Sequence, residues 1–387
     1  MKDLYNDYLT ALNHPGSPVL FLDLSAFEKN VEWVKKNSGN KKIRIATKSI
    51  RSKEMLKRIL GSDPVFQGIM TYDLREALWL RSEGFNDILM GYPSVDKEQI
   101  KLLARNPEGI TLMVDRPEHI HLLEEIAKGE NAVINICIDI DLSMDLPGIR
   151  FGVFRSTLTS IERLKTFLSE LKDCKHIHLS GLMGYEAQIA GVMDKHSPII
   201  RLLKKISISK LQKRRREMVN LLLSQGLKPD LINGGGTGSL IYTRTEEDVT
   251  EVTVGSGFFS PVLFDHYKDF KLNPALLFTL PIVRNPETDI YTCLGGGYIA
   301  SGATESIKQP APYLPVGLSL LKHEGAGEVQ TPLHYSGTAK LQIGSSVIMR
   351  HAKSGEVCER FEKIHLVRDG KSEGTILTYR GEGKTFV

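Results

Sequence analysis

The sequence predicts an α/β fold: a closed (β/α)8 barrel followed by a mostly β second domain. Three observations carry this. Eight short apolar strands alternate with helical patterns between residues 43 and 254. Eight units in about 210 residues come close to the roughly 250 residues of such barrels. After residue 271 the long helical patterns stop, and Gly, Pro and Thr punctuate short apolar runs. An open doubly wound sheet is the structural alternative, but eight regular units favour closure.

Residues 1–17 are polar and end in the turn cluster His14-Pro15-Gly16-Ser17-Pro18. Val19 to Leu22 reads as a buried strand outside the barrel count, able to pair with the second domain. A helix over 26–36 follows, with Phe27, Val31 and Val34 on one face. The barrel strands are expected at 43–47, 65–69, 87–90, 110–114, 133–139, 177–183, 230–233 and 249–254. Helices are expected at 51–60, 73–83, 97–105, 117–128, 156–171 and 195–225, with a short one after Gly236. Asp73 with Glu76, and Ser156 before its apolar run, read as helix starts. Strands are then expected near 275–282, 290–293, 341–343, 347–350, 364–367 and 375–378. The domains divide as 24–270 for the barrel, with 1–23 and 271–387 forming the β-rich part.

At 387 residues two domains are expected. The net charge of +4 is too small to imply a nucleic-acid or membrane partner. The basic run Lys213 to Arg216 reads as a solvated helix face. Cys137, Cys174, Cys293 and Cys358 are widely spaced, which points to a reducing, cytoplasmic location rather than a disulfide framework. No apolar run approaches the ~20 residues of a membrane span.

Active-site groups of such barrels lie at the C-terminal ends of the strands. Lys48 ends the first strand, in Lys42-Ile-Arg-Ile-Ala-Thr-Lys48-Ser. Buried there, its amine would be neutral and able to form a Schiff base with a carbonyl cofactor. Asn233-Gly234-Gly235-Gly236-Thr237 follows the seventh strand and Gly255-Ser256-Gly257 the eighth. Consecutive glycines let several backbone N–H groups face one point, which suits a phosphate. A phosphate cradle near a strand-end lysine suggests pyridoxal 5′-phosphate, an electron sink that the protein positions and tunes.

On these residues the chain resembles the fold type III pyridoxal-phosphate enzymes, the alanine racemase-like class. It is most similar to their D-threonine aldolase and D-serine dehydratase branch. The similar segments are Pro18 to Asn30, Arg44 to Ser49, Asn233 to Ser239 and Glu251 to Ser256. The resemblance implies a Lys48 Schiff base, a phosphate held by Gly234, Gly235, Gly236, Thr237, Ser256 and Gly257, and a homodimer that completes the active site. Gly148-Ile-Arg150-Phe-Gly152 is similar to the family's Arg-x-Gly, which implies Arg150 beside the cofactor ring or the substrate carboxylate. Gly181 to Gln188 matches another family segment, which implies Tyr185 at the ring or in proton transfer. The branch also uses a metal, held by a His-x-Cys or His-x-Asp pair. Here Lys353 occupies the second position after His351; His351 with Glu356 or Cys358 is the expected ligand set for zinc or manganese, and a metal-free site in which His351 or Lys353 acts as acid or base is the alternative.

The function expected is aldol cleavage or dehydration of a β-hydroxy D-amino acid. An amino-acid racemase or epimerase is the same-cofactor alternative, and a non-catalytic pyridoxal-phosphate carrier a further one. A barrel metal hydrolase would need several His and Asp ligands at strand ends, and these are scarce.

Overall fold

The computed structural model describes residues 3–146, 148–303 and 305–386. The chain packs as two compact units. One contains Lys35–Thr47 and Arg58–Val254; the other contains the N-terminal stretch through Val34, Lys48–Lys57 and Gly255–Thr385. Residues 24–34, 48–57 and 255–270, expected with the barrel, therefore pack with the β-rich unit.

The chain opens with α1 (Leu4–Ala11), β1 (Val19–Asp23) and α2 (Leu24–Asn37). Helix α1 forms inside the stretch expected to be polar and turn-like, because Asp3 caps it by accepting from the Asn6 N–H. The barrel alternation then runs β2 (Lys42–Ala46), α3 (Lys53–Leu60), β3 (Phe66–Thr71), α4 (Leu74–Ser82), β4 (Ile88–Met90), α5 (Lys97–Ala104), β5 (Ile110–Val114), α6 (Pro117–Gly129) and β6 (Ile134–Ile140). A two-stranded excursion, β7 (Met144–Leu146) and β8 (Ile149–Phe151), precedes α7 (Ile161–Leu171). The alternation ends with β9 (Ile177–Gly184), α8 (Ala187–Ala190), α9 (Pro198–Ser224), β10 (Leu231–Gly234), α10 (Leu240–Thr243) and β11 (Glu251–Val254).

Strands β2, β3, β4, β5, β6, β9, β10 and β11 close into a parallel barrel in that order, β11 pairing back to β2. All eight overlap the strands expected from the sequence. Helix α4 starts as anticipated: Asp73 accepts from the Arg75 N–H, and the Glu76 carboxylate accepts from the Tyr72 N–H. Helix α7 does not. Ser156 turns its hydroxyl to the Asp139 carbonyl at 2.6 Å, and Ser160 caps the helix instead.

The barrel core has an apolar part and a charged part. Leu89, Met113, Cys137 and Met183, from four strands, pack together, with Tyr185 and Met70 against them. Arg44 on β2 is buried and gives a two-pronged bond to Glu251, at 2.6 and 2.8 Å, with a third prong to Asp87 at 2.8 Å. Asn233 also donates to Glu251, at 2.7 Å. Every charged group in this layer has an opposite charge or a hydrogen bond, the condition for tolerating ions away from water.

The β-rich unit contains β12 (Leu276–Glu287), β13 (Ile290–Leu294), β14 (Ala311–Leu314), β15 (Leu318–Leu320), β16 (Gln330–Tyr335), β17 (Ser346–Arg350), β18 (Lys363–Arg368) and β19 (Lys371–Leu377). Its main sheet runs β15-β16-β13-β12-β1-β18-β19, with β17 pairing both β12 and β14. The N-terminal strand β1 therefore sits inside it, antiparallel to β12 and parallel to β18. Its Leu20, Phe21 and Leu22 are fully buried. The strand expected at 341–343 does not form. Among the described residues no helix is long and apolar enough to cross a membrane.

Candidate active site

Lys48 lies in the 3-10 turn Thr47–Ser49 that leaves β2. Its neighbours Thr47 and Ser49 are buried while Lys48 itself is exposed. This corrects the expectation of burial: the turn fixes the backbone and leaves the side chain exposed. Thr47 anchors the strand end by donating to the Met70 carbonyl at 3.0 Å. Gly355 buttresses the next peptide. It sits at φ +88°, and a Cβ on it would run into the Lys48 carbonyl. Arg51 donates from Nε to that same carbonyl at 3.1 Å and pairs with Glu359.

Strand β11 lies between β10 and β2 in the barrel. The glycine loop leaves β10, and the turn with Lys48 leaves β2. Gly235 has φ +88°, and a Cβ there would overlap Val252, so only glycine fits. Its N–H is already taken, donating to Glu186 at 2.6 Å. The N–H groups of Gly236 and Gly238 have no acceptor among the described residues. These two N–H groups, with Thr237, are the groups of the loop that could receive an anion.

Beneath the loop lies a charged cluster. Arg215 of α9 is fully buried and bonds Glu186, Glu246 and the Gly184 carbonyl. Glu186 also accepts from the Thr243 hydroxyl at 3.2 Å. Burial pushes the Glu246 carboxyl up against the pull of Arg215. The basic run is therefore not uniformly a solvated face. Lys213 and Arg216 are exposed, but Arg215 props the loop from inside, and Arg214 donates to the Asp141 and Ser143 carbonyls at 3.2 and 2.8 Å.

Tyr185 follows β9. Burial pushes its hydroxyl up to about 12, so it stays protonated at neutral pH and is a hydrogen-bond donor there. The Arg155 guanidinium stands 5.3 Å over its ring. Asp139, at the end of β6, lines the same small pocket as Arg155 and Tyr185. Burial, then the nearby Asp115 carboxylate, push its carboxyl up to about 8, against the pull of Arg155. A carboxyl titrating near neutrality in a pocket is a candidate acid or base. Sequence reasoning missed it, although its place at a strand end was a usable signal. Arg150 is held by Asp141 at 2.7 Å, Asp145 at 3.3 Å and the Val153 carbonyl at 3.2 Å, with Phe154 against its guanidinium. Two of its five N–H donors remain for a planar anion.

Ser256 and Gly257 form the 3-10 turn after β11, and the Ser256 hydroxyl lies 3.1 Å from that of Ser49.

The expected metal ligands do not converge. His351 is buried, and burial lowers its imidazole to about 3, so it is neutral. Its Nδ1 donates to the Leu276 carbonyl at 2.9 Å, and its Nε2 accepts from Ser354 at 3.2 Å. Glu356 is bound by the Ser301 N–H and hydroxyl and by Lys353. The Cys358 thiol points to the Ile50 carbonyl, and burial pushes it up to about 12. Among the described residues no three His, Cys, Asp or Glu side chains are grouped to hold a metal ion.

The family model described as "Alanine racemase, N-terminal domain" matches residues 22–261. The chain belongs to this family. It is also 23% identical over 251 residues to 3-hydroxy-D-aspartate aldolase of Paracoccus denitrificans (strain Pd 1222), covering 63% of this chain and 60% of that protein. Among solved structures, D-threonine aldolase from Filomicrobium marinum has a TM-score of 0.80 at 18% identity, covering 95% of this chain and 96% of that one. D-threo-3-hydroxyaspartate dehydratase from Delftia sp. HT23 has a TM-score of 0.75 at 16% identity, covering 93% and 97%. At these identities the structures share the fold: an eight-stranded barrel with a mostly β C-terminal part.

Proposed function

We propose that the chain is a pyridoxal-phosphate-dependent lyase acting on a β-hydroxy D-amino acid, by aldol cleavage or by dehydration. The observation that carries this reading is the place of Lys48, in the turn that leaves the barrel strand one removed from the one that bears the glycine loop. The named activities of the aldolase and dehydratase relatives agree with it.

The residues present fit the cofactor. The Gly236 and Gly238 N–H groups and Thr237 would hold its phosphate, with Ser256 and Gly257 as the second loop of the site. Lys48 would hold its aldehyde, and its amine, once released, is the group suited to move the proton at the substrate Cα. Bound there, the cofactor supplies an electron sink for the bond broken at Cα. Tyr185, protonated at neutral pH, donates a hydrogen bond at the ring or to substrate. The remaining Arg150 donors suit a carboxylate.

A homodimer that completes the site is part of this reading, as is a cytoplasmic location, which the four free cysteines support. The test is direct. The protein loaded with pyridoxal phosphate should carry a visible absorption band that Lys48→Ala abolishes. It should release an aldehyde or a keto acid from D-threonine or a D-3-hydroxy acidic amino acid. A colourless protein that takes up no cofactor refutes the reading; racemised alanine as the only product selects the racemase alternative.

A further inference from the structure

The segment from His351 to Glu356 packs on the backbone of the cofactor-lysine turn. Gly355 abuts the Lys48 carbonyl, and Ser354 reaches the Ser256 carbonyl at 3.4 Å, while Ser256 meets Ser49. This segment therefore packs against the backbone of the Lys48 turn, and among the described residues its side chains are not grouped to hold a metal ion. An ammonium stands where the second ligand would be. A divalent cation next to it would be repelled, and the surrounding donors are committed elsewhere.

What the segment does build is a fixed cation. The Lys353 Nζ donates to the Ser301 hydroxyl at 2.9 Å and to Glu356 at 3.2 Å. Glu356 is itself clamped by the Ser301 N–H at 2.7 Å and by the Ser301 hydroxyl. An ammonium has three donors. Two are used, and the third has no acceptor among the described residues.

Resting on the function proposed above, we propose that Lys353 takes the place of the metal: its remaining N–H donor binds the substrate's β-oxygen, and the reaction is metal-independent. A positive charge and a donor beside that oxygen would favour the negative charge that develops on it, as a metal would, without a coordination sphere. Glu356 and Ser301 are positioning residues that hold the ammonium in one place. Serine and glutamate at these positions make no sense as support for a coordinating histidine, whose nitrogens are both occupied.

The test uses the full chain loaded with pyridoxal phosphate. Calorimetric titration with Zn2+ or Mn2+ should show no binding that His351→Ala removes, and chelator treatment should leave turnover of a β-hydroxy D-amino acid unchanged. Lys353→Met should lower kcat/KM by about 100-fold or more, the size of losing one such donor. It should leave the visible cofactor band and the urea midpoint near those of the parent, and Lys353→Arg should restore part of the rate. One tightly bound metal per chain, lost in His351→Ala, overturns the proposal. So does a Lys353→Met protein that keeps its band and turns over within a few-fold of the parent. The metal titration reads without turnover, so failure of the lyase reading and failure of this inference are separable.

Discussion

Replacing Arg215 by methionine is the sharpest test of how the glycine loop is supported. The guanidinium is 1% exposed, and its partners Glu186 and Glu246 are 1% and 6% exposed. Methionine fills most of the volume but leaves two buried carboxylates facing each other. Removing one partner of a buried ion pair costs about 3–5 kcal/mol. The lower end applies if Glu246, already pushed up by burial, takes a proton once Arg215 is gone. Adding Glu246→Gln to Arg215→Met removes one stranded charge, and the two changes should be non-additive by about 1–3 kcal/mol. Glu186 keeps its bonds to the Gly235 N–H and the Thr243 hydroxyl in both proteins. Its position shifts nonetheless, so cofactor affinity should fall about tenfold, or about 1.4 kcal/mol. Urea unfolding followed by far-UV circular dichroism reads the stability, and titration of the visible band reads the affinity. If Arg215→Met unfolds within about 1 kcal/mol of the parent, or the pair is strictly additive, the cluster is not what supports the loop.

Three further outcomes follow from the geometry. Burial pushes the Asp139 carboxyl from the ordinary carboxylate range up to about 8, so the stability it confers is fully present below pH ~4 and lost as pH rises through 8. Asp139→Asn should therefore gain in melting temperature over the parent as pH goes from 5 to 9; a constant difference would refute the assignment. Gly355→Ala should cost about 2–4 kcal/mol, combining an unfavourable positive φ with overlap at the Lys48 carbonyl, and should weaken the cofactor band. Arg150→Lys loses the planar fork and should raise KM at least about tenfold with little change in the thermal midpoint, checked by steady-state kinetics and a melt.

The barrel was legible because its signals are local. Each of the eight strands is a short apolar run bounded by turn residues, and each overlaps its expected position. The placement of Lys48 and the glycine loop at strand ends was legible for the same reason. The exposure of Lys48 was not, because it depends on how the 3-10 turn directs one side chain. Strands β14, β15 and β16 went unread because Pro312 and Pro332 interrupt β14 and β16 and β15 is only three residues long. Arg215 was misread by composition, yet periodicity could have found it. Leu211, Arg215, Met218, Val219 and Leu222 share one helix stripe, and all five are buried. The metal ligands failed for a different reason. His351, Glu356 and Cys358 have suitable chemistry and short spacing, but a β-strand end followed by a 3-10 turn sends their side chains to three separate partners.

The position of β1 has a consequence for how the chain is made. Val19 to Asp23 lies between two strands whose residues come more than 250 and 340 positions later. During synthesis this apolar segment emerges well before the two strands it joins. The barrel alternation, by contrast, can assemble from neighbouring units as they appear. The β-rich unit therefore closes last, by inserting its oldest strand, and until then Leu20, Phe21 and Leu22 are open to wrong partners. Because Gly355 abuts the Lys48 peptide from that same late unit, Lys48 reaches its final geometry only when the C-terminal part has folded. A chain cut short before residue 355 would complete much of the barrel and still lack a finished site for cofactor loading.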